Sequence, residues 1–142
     1  MDTIVKTHVG SYGIIIKEHK IALIKKARGG YKGKLDLPGG GIEHDETPME
    51  ALKRELMEEI SGTLVEATLF DATSVTFKWQ MEEDVIEDLH HIGLLYNVKI
   101  EEDELKKDAD GLDSNGAVWV DIDTLTEDKV SPFVWHVLKK IK

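Results

Sequence analysis

The chain contains no cysteine, which excludes a disulfide framework, a thiolate nucleophile and a thiolate zinc site. It has no uncharged apolar run near the ~20 residues needed to span a bilayer, and Met1 to Lys6 lacks the apolar core of a secretion signal. A cytoplasmic protein without membrane contact is the expectation. Positive charge is scarce: 18 Lys and Arg against 28 Asp and Glu give a net charge of −10. Such a balance argues against a nucleic-acid polymer as partner, because phosphate neutralisation needs a basic surface. No internal repeat or low-complexity stretch is visible. What remains is 142 residues, 41% hydrophobic and 32% charged, the profile of one domain spanning 1–142 that folds alone.

The charge is unevenly distributed. Up to Leu35 there are eight Lys or Arg against Asp2 and Glu18, or +6, so the remainder carries −16. A basic segment beside an acidic one can hold a small phosphate ester between its cations and a carboxylate-bound metal. His8 to Ile16 reads as a strand, and Lys20 to Lys26 as its antiparallel partner across a Glu18-His19 turn. A basic loop, Arg28 to Gly33, precedes Leu35 to Pro38 and then Gly39-Gly40-Gly41, which permit close backbone approach to a ligand. Neither the Walker pattern nor the dinucleotide fingerprint is present.

The best-marked helix follows. Thr47-Pro48-Met49-Glu50 is a capping box with proline in the first turn, Met49, Leu52, Leu56 and Ile60 form an apolar stripe, and Gly62 is the expected stop. Further on, Val65 to Gln80 and His91 to Ile100 read as long strands around the acidic stretch Glu82 to Asp88, expected as a loop or short helix. Lys106 to Asn115 is turn-rich, Gly116 to Val120 a short strand and Asp123 to Lys129 a brief helix. Ser131-Pro132 caps a final helix with Phe133, Val134, Val137, Leu138 and Ile141 on its apolar face. This order predicts an α/β fold, a layered sandwich with a mixed sheet.

On the capped helix Glu55, Glu58 and Glu59 are spaced i, i+3 and i+4, within an arc of about 100° that borders the apolar stripe. Arg54 stands four residues before Glu58 and can pair with it. Two such charges ~6 Å apart at an effective dielectric of ~20 repel by roughly 3 kcal/mol, so partial burial calls for a divalent counterion. The donors are hard oxygens from carboxylates and glycine carbonyls, which select Mg2+, with Mn2+ as the alternative.

Gly40, five residues, Glu46, seven residues, then Arg54-Glu55-Leu56-Met57-Glu58-Glu59-Ile60 resembles the signature box of the Nudix (MutT-like) hydrolases. Six fixed identities at these spacings arise by chance on the order of once in 10^7 positions. The box spans 40–62, and its loop-helix-loop setting and flanking strands fit the family's whole-domain layout. Ser61-Gly62 departs from the family pattern, in which glycine stands one place earlier, so an altered helix end with an intact site is expected.

The resemblance implies Mg2+-dependent hydrolysis of the diphosphate bond in a small nucleoside diphosphate derivative. It would make Glu55, Glu58 and Glu59 metal ligands, joined by a carbonyl of Gly39 or Gly40. Glu55 or an outside carboxylate would orient the attacking water, with Glu46 and Arg54 as supports. A catalytically silent nucleotide-sensing or interaction domain of the same fold is the alternative, and a homodimer is left open.

Outside the box, Arg28, Lys32 and Lys34 are candidate phosphate contacts, and Glu101, Glu102 or Glu104 a candidate extra ligand or base. Tyr31, Phe77, Trp79 and Trp119 are read as core residues first and base-stacking residues second. His90-His91 is read as the start of a strand, without metal ligation.

Overall fold

A computed structural model describes residues 1–101 and 114–142. Eight strands and two helices follow in the order β1 (Asp2–Ile14), β2 (Ile16–Lys17), β3 (Lys20–Lys26), β4 (Leu35–Asp36), β5 (Gly39–Gly41), α1 (Pro48–Ile60), β6 (Leu64–Glu82), β7 (Val85–Ile100), β8 (Ser114–Asp121) and α2 (Pro132–Ile141). One sheet has the order β5-β1-β7-β6 and is mixed, since β1 and β7 run parallel while the other neighbours are antiparallel. In the second sheet β3 is central, with β2, β4 and β8 all antiparallel to it. Among the described residues no helix is long and apolar enough to cross a membrane.

The two helices cover opposite faces, and the burial of β3 shows why. Ile21 to Ile24 are four consecutive buried residues, the mark of a strand covered on both sides rather than of an alternating surface strand. Ile21 and Leu23 pack with Phe133, Val134, Val137 and Leu138 of α2, whereas Ala22 and Ile24 pack with Leu52, Leu56 and Ile60 of α1. The alternation of one strand thus divides the interior into two layers, and the α/β/α sandwich is the observed fold.

Several expected elements are redrawn. The turn at Glu18-His19 is present, both residues having positive φ, but it joins β3 only to the two residues of β2. The rest of the anticipated partner, β1, lies in the other sheet and begins at Asp2. The Glu82 to Asp88 stretch is neither loop nor helix: β6 runs to Glu82 and β7 starts at Val85, leaving a tight hairpin turn. Cross-strand bonding outweighs the acidic composition there, since Gln80 Nε2 donates to the Glu83 carbonyl at 2.9 Å and Trp79 Nε1 to Glu87 Oε1 at 2.9 Å. His90-His91 accordingly lies within a strand rather than at its start. The brief helix after β8 is two separate 3-10 turns, Ile122–Thr124 and Glu127–Lys129. Most of the Lys106 to Asn115 segment, with Glu102 and Glu104, lies outside the described residues.

Candidate active site

Helix α1 starts at the anticipated capping box: Thr47 Oγ1 accepts from Glu50 N at 3.1 Å and Glu50 Oε1 accepts from Thr47 N at 2.9 Å. Leu52, Leu56 and Ile60 are fully buried, while Met49 is 39% exposed and Ala51 takes its place in the interface. The helix ends at Ser61, which adopts the left-handed conformation (φ 55°) and sends its N–H to the Met57 carbonyl at 3.1 Å. Gly62 has no positive φ, and a Cβ there would sit 3.3 Å from the side-chain ends of Ile60 and Ile100. The expected break is present, one residue earlier than Gly62.

The glycine run is itself a strand. Gly39, Gly40 and Gly41 pair antiparallel with Tyr12, Ser11 and Gly10 of β1. Gly39 has φ 140°, and a Cβ on it would collide with the Ser11 carbonyl. That tight pairing delivers the strand to α1: Gly39 N donates to Glu59 Oε1 at 2.6 Å, and a Cβ on Gly40 would lie 2.7 Å from the Glu55 carboxyl group. Ser11 Oγ, donating to the Pro48 carbonyl at 2.8 Å, fixes β1 to the first turn of the helix. Glu59 is 4% exposed, so its carboxylate is oriented within the protein rather than solvated.

Arg54 organises the remaining carboxylates. Its Nε and Nη2 form a two-pronged pair with Glu46 at 2.7 and 2.9 Å, Nη1 reaches Glu55 Oε1 at 2.8 Å and Glu58 Oε2 at 3.5 Å, and Nη2 also donates to the Gly41 carbonyl at 3.1 Å. The Arg54 guanidinium, aided by the Glu43 N–H, holds the Glu46 carboxyl down at about 2, and the same bonds push the Arg54 pKa upward. Glu55 and Glu59 therefore meet the glycine strand directly, while half-exposed Glu58 joins them through Arg54.

The glycine strand and Glu55 form one wall of a cleft of about 1000 Å³. Lys6 and His8 of β1, Lys26, and Arg28 and Lys32 of the loop after β3 bring cationic or basic groups to it, and the β6-β7 hairpin adds Trp79 and Glu87. Of the anticipated phosphate contacts, Arg28 and Lys32 line the cleft and Lys34 does not. Lys34 lies in a separate depression with Glu127, Trp135 and His136, on the α2 side of the molecule. Glu101 is exposed where β7 ends, with its N–H on the Thr63 carbonyl, and does not line the cleft.

At the cleft floor His91, 4% exposed, bridges two tyrosines: Tyr12 Oη is 2.6 Å from Nε2 and Tyr31 Oη 2.7 Å from Nδ1. Burial, reinforced by the positive surroundings of His8 and Lys26, pushes the imidazole down to about 3, so it is neutral at physiological pH. Tyr31 stacks on His91 and packs against Phe77, and a Cβ on Gly30 would lie 2.7 Å from the Phe77 ring, so the basic loop is seated on the β6-β7 arm. Trp79 lines the cleft, whereas Trp119 packs against the α1 side of the core. The sequence reading missed Lys6, His8, Tyr12, Lys26, Asp36, Glu87 and His91. The one available signal was the alternation of Ile4, Lys6 and His8 on one strand face.

The donor set suits a hard divalent cation, since carboxylates cluster against glycine backbone where a side chain would fill the space. The exposed group of His19, Asp121 and Asp123, with ligand atoms within 4.8 Å of one another, shares no residue with the cleft.

The chain is 51% identical over 47 residues to an ADP-ribose pyrophosphatase of Methanocaldococcus jannaschii, covering 33% of this chain and 28% of that protein. It is 36% identical over 77 residues to an 8-oxo-dGTP diphosphatase of Proteus vulgaris, covering 51% of this chain and 65% of that one. Both matches span less than two thirds of the relatives' lengths. A crystal structure of a MutT NUDIX hydrolase from Burkholderia pseudomallei superposes with a TM-score of 0.65 at 20% identity, covering 96% of this chain and 99% of the other, a likeness of fold. The NUDIX domain matches residues 6–141, nearly the whole length, and the chain belongs to the NUDIX family.

Proposed function

We propose that the protein hydrolyses the diphosphate bond of a nucleoside diphosphate derivative, with Mg2+ as its cation and Mn2+ able to substitute. The observation that carries this reading is the convergence of Glu55 and Glu59 on Gly39-Gly40 at the wall of a cleft whose other sides bear Lys6, Lys26, Arg28 and Lys32. Glu55, Glu58 and Glu59, with a carbonyl of Gly39 or Gly40, would hold the cation. When bound, it lowers the pKa of a coordinated water and neutralises the diphosphate oxygens.

The chain's own groups do the rest. Arg54 keeps Glu55 and Glu58 in one orientation and is itself fixed by the fork to Glu46, so the carboxylates are preorganised before substrate arrives. Arg28 and Lys32 face the cleft and would draw in the polyanion and neutralise phosphate oxygens remote from the carboxylates. Glu55, or a carboxylate outside this wall, would orient the attacking water and accept its proton. Attack at phosphorus breaks one P–O–P bridge and releases two phosphate-bearing products. ADP-ribose and oxidised purine nucleotides, named for the two relatives, are the first compounds to assay.

Replacing Glu58 by glutamine tests the reading, because the side chain is half-exposed and the fold should survive. The expected result is at least a hundredfold loss of Mg2+-dependent turnover, roughly the upper end of the effect seen when groups supporting a metal ligand are removed. Turnover within twofold of the parent would overturn it.

A further inference from the structure

The cleft has two chemically distinct ends. Gly39–Gly41 and Glu55 make one, and the β6-β7 arm makes the other, where Trp79 and Glu87 are direct cross-strand partners. Along β1, Ile4 stands opposite Glu87 and Gly10 opposite Gly41. Six residues at ~3.3 Å each separate these levels, about 20 Å. Lys6 and His8 occupy the same strand face between them and both line the cleft. Carboxylates, then basic groups, then a carboxylate is the order in which an extended nucleotide would meet them, with phosphates in the middle and the base at the arm.

Glu87 is only 8% exposed yet lines this cleft. Among the described residues its hydrogen bond is the one from Trp79 Nε1 to Oε1, at 2.9 Å. A carboxylate carries about four acceptor sites and no donor, so Trp79 orients the group and leaves most of its capacity for an incoming ligand. A ligand presenting N–H donors would fill the remaining acceptor sites.

Building on the hydrolase reading, we infer that Glu87 is the specificity-determining acceptor for the nucleobase, and that it selects bases with two adjacent N–H donors. The guanine edge offers N1–H beside the N2 amine, matching a carboxylate with two parallel bonds. Adenine places an acceptor nitrogen beside its amine, hypoxanthine has N1–H alone, and the pyrimidines flank each donor with acceptors. The preferred substrates are therefore guanine-type nucleoside diphosphate derivatives. Trp79 is a positioning residue, acting through Glu87.

GMP, IMP and AMP separate this inference from the hydrolase reading, because a monophosphate has no anhydride bond to cleave. Isothermal titration of each into the parent protein should show GMP binding roughly tenfold or more tighter than IMP and AMP, the scale of one bidentate base contact. Glu87→Gln should bring the three within about twofold while leaving the affinity for AMP little changed, and Trp79→Phe should reduce the guanine preference partially. The second variant serves if the first fails to fold. Absence of guanine preference in the parent, or its persistence in Glu87→Gln, overturns the inference. Guanine-selective binding without hydrolysis of any diphosphate derivative would overturn the hydrolase reading alone.

Discussion

Ser61 occupies a backbone conformation that costs an L-residue about 1 to 2 kcal/mol, at an exposed helix end where nothing requires its side chain. Ser61→Gly should raise unfolding stability by about 0.5 to 1 kcal/mol after the entropy of an added glycine is deducted. Urea denaturation measures it, and an unchanged or lower midpoint would contradict the assignment. His91 gives a pH signature. Its pKa is lowered to about 3 in the folded protein against ~6.5 unfolded, so between those values the unfolded chain binds the extra proton and stability falls as pH falls. Glu46, held near 2, adds stability above its unfolded pKa and loses it only as pH drops from ~4.5 towards 2. Between pH 6.5 and 4.5 His8, whose pKa burial also lowers, contributes in the same direction as His91. His91→Gln should flatten the slope of melting temperature against pH in that window, and an unchanged slope would refute it. None of this was readable from sequence: a histidine flanked by charged and apolar residues gives no hint that tyrosines 79 and 60 positions away will enclose it.

At the level of elements, the segment from Gly39 to Ile60 was the most legible part of the molecule. Its cap, its apolar stripe and its carboxylates interact within a few residues of one another, so local periodicity already implies the geometry. The departures there are Met49 off the stripe, the stop shifted to Ser61 and the glycine run paired as a strand with β1. The approach of Gly40 to Glu55 makes a sharp test of this unit. Gly40 needs no positive φ, so alanine suits its backbone, yet the added methyl would displace the Glu55 carboxyl. Gly40→Ala should retain its melting temperature within a few degrees and lose turnover by tenfold or more, as expected for a misplaced reacting group. Unimpaired kinetics would mean that Glu55 works from another position. The outer halves of β1 and β7 were illegible for the opposite reason. Residues 2–7 are exposed and show no burial pattern, and the charges of 82–88 resemble a loop until Trp79 supplies a partner for Glu87.

For the whole molecule, the fold class followed from strands placed on both sides of a capped helix, with a second amphipathic helix at the end. The partition of strands into sheets did not. Nearest-neighbour reasoning joined the first strand to β3, whereas its long partner is β7, in parallel register from Asp2 with Val85 to Ile14 with Asn97. A strand's own residues specify which face is covered, not which distant segment does the covering. The same separation explains why Lys6, His8 and Glu87 escaped notice, since the cleft draws its box wall from one continuous stretch and its far end from the amino-terminal halves of two strands distant in sequence.

That pairing has a consequence for the order of assembly on the ribosome. Asp2 is made 83 residues before Val85, its register partner. At roughly 5 to 20 residues per second, the amino-terminal ribbon emerges about 4 to 17 s ahead of the strand that completes it. During that interval Ile4, Val5 and Val9 lack their neighbour, and the nascent chain's nucleobase end cannot yet exist even if the glutamate helix has already formed.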